Sequence, residues 1–163
     1  LFTMPFWGVI ANLFKPKELS VLDIEMGEFV SVAEIALKKR YGEDNVCADK
    51  TSITINDVEV DGVVFNKVEF ISNKGFLVHQ INLIVVSKAF KEKSEAKSFL
   101  NAYKLKLIEK THSKNEPDCE RFMYNGKEAV SYILLDDEIA TGVSFKYECP
   151  DWVVTICYYK MIE

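Results

Sequence analysis

The sequence predicts an α+β fold: two helices packed on a mostly antiparallel meander sheet, ordered as an imperfect tandem α-β-β-β repeat. Three observations predict it. Apolar residues recur at three- and four-residue spacing in two stretches, 20–41 and 93–111. The stretches after each of them switch to alternation. Two strong two-residue hairpin turns, Asp61-Gly62 and Asn125-Gly126, join alternating stretches. Strands that come in runs between helices belong to the α+β class.

The first helix rests on Leu22, Met26, Phe29, Val30, Ala33, Ala36, Leu37 and Tyr41. Asp23, Glu25 and Glu28 lie early and Lys38, Lys39 and Arg40 late, as the helix dipole favours. Gly27 weakens the start, where the helix could instead begin, and Gly42 is the expected stop. Ile53, Ile55, Val58 and Val60 then suggest a strand or a bulged strand, followed past Asp61-Gly62 by Val63, Phe65, Val68 and Phe70. Asn73-Lys74-Gly75 turns the chain into a long strand, Phe76 to Val86, with His79 on its Leu77/Ile81 face.

The second helix, 93–111, carries a stripe of Ala96, Phe99, Leu100, Tyr103 and Leu107, with Ser94 as the expected N-cap. Lys93, Lys97 and Lys104 flank one side of the stripe, Lys106 and Lys110 the other. Strands follow over Cys119–Tyr124, Lys127–Leu135 and Ile139–Cys149. A last one, Trp152–Tyr159, comes after the Pro150-Asp151 turn. In it Trp152, Val154, Ile156 and Tyr158 share one face, Val153, Thr155, Cys157 and Tyr159 the other.

Residues 20–163 read as one α+β domain with pseudo-repeat halves near 20–92 and 93–163. An apolar segment, 1–19, precedes it, opening LFTMPFWGVIANLF. That segment lacks the charged start and small-residue cleavage site of an intact signal peptide. The compartment stays open: secreted or cell envelope had an upstream signal been removed, otherwise cytoplasmic. No stretch is apolar and long enough for a membrane-spanning helix.

At 163 residues, 48% hydrophobic and 28% charged, the chain is too apolar to be disordered. Its net charge of −5 and its two arginines, Arg40 and Arg121, oppose nucleic-acid binding. The charge is uneven. From Lys88 to Lys114 eight lysines face three glutamates, a local net of +5, and the residues from Asn115 onward carry −6. Cys47, Cys119, Cys149 and Cys157 form no C-x-x-C pair, and buried free thiols are the favoured reading over two disulfides.

No phosphate-binding glycine motif and no G-x-S-x-G elbow occurs. His79 reads as a core histidine satisfied by one hydrogen bond, ahead of a catalytic base, and His112 as a helix-end cation. Asp136, Asp137 and Glu138 read as a solvated turn ahead of a metal site. The lysine flank of the second helix reads as stems covering an apolar edge, ahead of a membrane or anionic-partner surface. No catalytic residue, cofactor or metal ligand is therefore assigned.

The segment from Val68 to Val86, VEFISNKGFLVHQINLIVV, and the lysine-rich helix opening KSEAKSFL carry a resemblance of layout. In this order residues 20–160 look like tandem α-β-β-β proteins, among them the β-lactamase-inhibitor-protein-like group. The resemblance implies a non-enzymatic domain that binds another protein across its sheet. It matches no site motif, so it carries no functional residue across.

The expectation is a non-enzymatic protein-binding domain, in a close variant an inhibitor or immunity-type protein, using a sheet face or the aromatic C-terminal hairpin. Trp152, Tyr158, Tyr159, Phe6 and Trp7 are the candidate partner-binding residues. The N-terminal segment is a candidate oligomer contact. Alternatives are a small-molecule or lipid-binding module with a cavity between sheet and helices, and a structural subunit of an envelope assembly.

Overall fold

The computed structural model describes residues 19–73, 79–111, 117–136 and 138–160. Among these residues ten strands and two α-helices follow one another. A small hairpin, β1 (Ser20–Val21) with β2 (Ile24–Glu25), comes first. Helix α1 (Val30–Tyr41) leads through a 3-10 turn, Glu43–Asn45, into β3 (Val46–Ala48), β4 (Ser52–Val60), β5 (Val63–Ile71) and β6 (Leu83–Phe90). Helix α2 (Lys93–Thr111) then precedes β7 (Asp118–Tyr124), β8 (Lys127–Asp136), β9 (Ile139–Glu148) and β10 (Asp151–Lys160).

The last eight strands form one antiparallel sheet in the order β3-β4-β5-β6-β10-β9-β8-β7. The final strand of each run thus lies at the middle, β6 against β10. This is the α+β class the periodicity predicts. The first run holds four strands rather than three, because β3 adds a short outer edge.

The first helix is shorter than its apolar spacing suggests. Leu22 and Asp23 take positive φ and turn the chain between β1 and β2, and Gly27 has φ of 95°. Residues 27–30 are bonded to 79–81 through one antiparallel bridge, Phe29 to Gln80: Gly27 N–H donates to the Ile81 carbonyl, Ile81 N–H to the Glu28 carbonyl, and Val30 N–H to the His79 carbonyl. The helix therefore starts at Val30, and no acidic residue stands in its first turn. Asp23 instead holds Arg40 at 3.0 Å. Gly42 ends the helix as expected, its N–H donating to the Lys38 carbonyl.

The long strand expected over 76–86 lies further on. Residues 74–78 are outside the described set, His79 has φ of 66°, and the strand runs Leu83–Phe90. Near its end Lys67 pairs with Ser87, and beyond that the Asn66 side-chain oxygen accepts from Ala89 N–H.

Both helices lie on one face of the sheet. Val30, Ala33 and Leu37 of α1 and Ala96, Leu100 and Leu107 of α2 join one core cluster with Ile53, Phe70, Ile84, Ile156 and Phe145. The register explains why these strand residues agree. Ile53, Phe70, Ile84, Tyr158 and Thr141 stand opposite one another across five strands, and all five are buried. Residues one step along each strand must point to the other face. The stripe expected on the second helix is the one observed, with Phe99 and Tyr103 packed at its rim against Phe65.

Candidate functional site

The face away from the helices is the broadest candidate surface. Its central row runs Ser87, Thr155, Ser144 and Ser131 across β6, β10, β9 and β8, each directly opposite the next. All four are half-buried, as on a sheet face that no described helix covers. One row along lie Val85, Cys157, Gly142 and Ile133, and beyond it Leu83, Tyr159, Ala140 and Leu135. Ile133 and Leu135 are 41% and 61% exposed. Charge stands to either side of this centre: the exposed Glu120 of β7 lies opposite Ser131, and two ion pairs stand elsewhere on the face. Lys67 pairs with Glu69 on β5, and Lys146 with Glu148 on β9, both at 3.2 Å.

The candidate aromatics separate. Trp152 and Tyr158 are only 8% and 7% exposed and belong to the core under α2. Trp152 packs on Phe145 and Tyr147. Burial holds the Tyr158 phenol far above its ordinary value, and its hydroxyl shares a hydrogen bond with Tyr103. Tyr159 alone of the three reaches the open face, half-buried. Phe6 and Trp7 lie outside the described residues, as does the whole apolar segment to residue 18, and so does His112.

His79 departs from its expected place. It is exposed, and its Nδ1 lies 3.2 Å from the Lys50 carbonyl. The reason is the positive φ at 79, which takes the residue out of strand alternation. It borders an open hollow of about 590 Å³ at the start of α1, beside Phe29, Glu34, Asp49 and Lys50. Asp49 is engaged in its own turn, accepting from the backbone N–H of Thr51 and Ser52 at 2.8 Å. Those bonds pull its carboxyl below the ordinary value. Glu34 holds Lys38 at 2.8 Å. Among the described residues His79 makes no hydrogen bond to a hydroxyl or thiol.

The cysteines are free, but the expected burial is corrected: Cys47, Cys119 and Cys149 are exposed and Cys157 is half-buried. Each of the first three lies at an edge strand or a turn. Burial pushes the Cys157 thiol up, against a smaller downward pull from Lys146. No group of three or more metal-ligating side chains occurs among the described residues, of which Asp137 is not one. Among the same residues no helix is long and apolar enough to cross a membrane.

Residue spacing alone could not assemble the hydroxyl row. Alternation shows which side chains share a strand face, but the row exists only through the register of four strands. The chain matches no protein-family model, no curated protein and no solved structure.

Proposed function

We propose that the chain is a protein-binding domain that holds another polypeptide on its open sheet face. One observation carries the reading. The face has an uncharged centre of hydroxyl and apolar side chains, and its lysines are paired with glutamates at the flanks. Protein interfaces share this anatomy, with charge depleted at the core and polar groups at the rim. The partner surface that fits is flat and uncharged, with hydroxyl or amide groups to meet the Ser87–Ser131 row. We read the domain as non-enzymatic, since the side chain best suited to act as a base, His79, is held by a backbone carbonyl.

The layout supports the same reading. Two runs of one helix and four strands, meeting at β6 and β10, favour pseudo-repeat halves and a likeness to the β-lactamase-inhibitor-protein-like group. The anchors shift accordingly, from the aromatic hairpin as a unit to Tyr159, Ile133 and Leu135.

The test is a photo-crosslinking residue at Ser131, exposed to the native source extract. A discrete adduct with one different polypeptide is expected, and it should vanish in a Thr155→Arg/Ser144→Arg double variant that melts like the parent chain. Adducts with copies of the same chain only, or an adduct that survives both arginines, would overturn the reading.

A further inference from the structure

The helix face of the molecule carries a second surface, independent of the open sheet face. Lys93, Lys97 and Lys104 lie on α2 at relative positions 0, 4 and 11. At 3.6 residues per turn they fall within an arc of about 40° and span about 16 Å. Beneath them the sheet presents a diagonal of rings. Lys93 Nζ lies 5.3 Å from the Trp152 ring centroid, Lys97 Nζ 6.0 Å from Phe145, and Lys104 Nζ 4.2 Å from Tyr132. From the start of β8 Lys127 Nζ comes within 4.8 Å of the Tyr147 ring centroid and 5.9 Å of that of Trp152.

Among the described residues none of these four lysines forms an ion pair, whereas Lys38, Lys67 and Lys146 each do. Glu128, next to Lys127 in the chain, is taken by Arg121 at 3.2 Å. A ring face attracts an ammonium group but leaves its charge in place. The strip is thus a concentrated positive field on a molecule of net charge −5.

We propose that this lysine–aromatic strip docks a short acidic segment of a partner protein. Three carboxylates on about five or six extended residues span the same length, at about 3.3 Å per residue. Two observations favour carboxylates over phosphates. Both arginines, the side chains suited to grip phosphate with two bonds, are already bound to carboxylates, Arg40 to Asp23 and Arg121 to Glu128. The chain's net negative charge also repels an extended polyanion or an anionic membrane, while a short segment meets mainly the local field within a screening length of about 8 Å.

The test uses the full chain and a fluorescently labelled, end-capped hexaglutamate, read by anisotropy. Binding is expected, weakening as salt is raised. A Lys93→Gln/Lys97→Gln/Lys104→Gln variant should bind about tenfold more weakly or worse, and Lys104→Gln alone about threefold more weakly. A Lys39→Gln/Lys50→Gln control, away from the strip, should match the parent chain. Equal binding by the triple variant, or equal binding of hexaglutamine, would overturn the proposal. Tighter binding of a hexathymidylate or of phosphatidylserine vesicles than of hexaglutamate would also overturn it, reassigning the strip to nucleic acid or to membrane.

Discussion

Tyr158 sits at the core end of β10, and its hydroxyl and that of Tyr103 satisfy each other. Burial raises both phenols above their ordinary value, so the fold favours the neutral forms. The stability this contributes is fully present below the unfolded tyrosine value of about 10 and is lost as pH rises above it. Chemical denaturation of the parent chain is expected to show a fall above pH 10 that is smaller in Tyr158→Phe. At neutral pH that variant should lose about 1 kcal/mol with its hydrogen bond. The thiols differ by the same physics. Iodoacetamide should label Cys47, Cys119 and Cys149 before Cys157, whose thiolate is disfavoured by burial. Peptide mapping over time checks the order, and early labelling of Cys157 would contradict its placement. Asn82 is wholly buried, with its Nδ2 without a hydrogen-bond partner among the described residues, while its Oδ1 accepts from Asn73 N–H at 2.8 Å. Nothing in a run of alternating apolar residues marks it as the junction where β5, β6 and β10 are tied.

Elements show where periodicity and backbone geometry compete. The apolar spacing of 20–41 continues across both a hairpin and a helix, because one buried surface can be lined by either. Positive φ at Leu22, Asp23 and Gly27 decides between them. At the other end Gly42 has φ 93° and ψ 146°, a region nearly closed to side-chain-bearing residues. Gly42→Ala is expected to cost about 1–3 kcal/mol by urea denaturation. Within β4 the buried positions change from Ile53 and Ile55 to Val58, and in β5 from Phe65 to Val68 and Phe70. Pairing stays one-to-one, Asn56 with Lys67 and Val58 with Phe65, so no residue is inserted. The change coincides with a φ of 51° at Asp57. On α2, Leu100→Ala should cost about 2–5 kcal/mol, since Leu100 faces the sheet with 2% exposure.

At the scale of the molecule the two runs of strands depend on each other. Only β6 and β10 join them, paired from Leu83–Tyr159 to Phe90–Trp152. These two strands are flanked on both sides and roofed by α2, so their amides should exchange with solvent most slowly. The edge strand β7, with six of its seven residues exposed, should exchange fastest in the sheet. Hydrogen exchange read by residue checks this, and equal protection of β7 and β10 would contradict the sheet order. The +5 segment also acquires a location. Lys93, Lys97 and Lys104 gather on one flank of α2, while Lys88 donates to the Val64 carbonyl on β5.

The sequence by itself determined the fold class, the extent of α2 and its apolar stripe, the stop at Gly42 and both two-residue hairpin turns. Each of these follows from local chemistry: residue period, glycine's tolerance of positive φ, and turn propensity. It also paired Trp152 with Tyr158 and Thr155 with Tyr159 on opposite faces of β10, but not which face the helices would cover. That choice, the meeting of β6 and β10, the hydroxyl row and the rings beneath the lysines came only with the tertiary structure. All depend on which strands become neighbours and in what register, and contacts between residues far apart in the chain leave no mark in the spacing of either one.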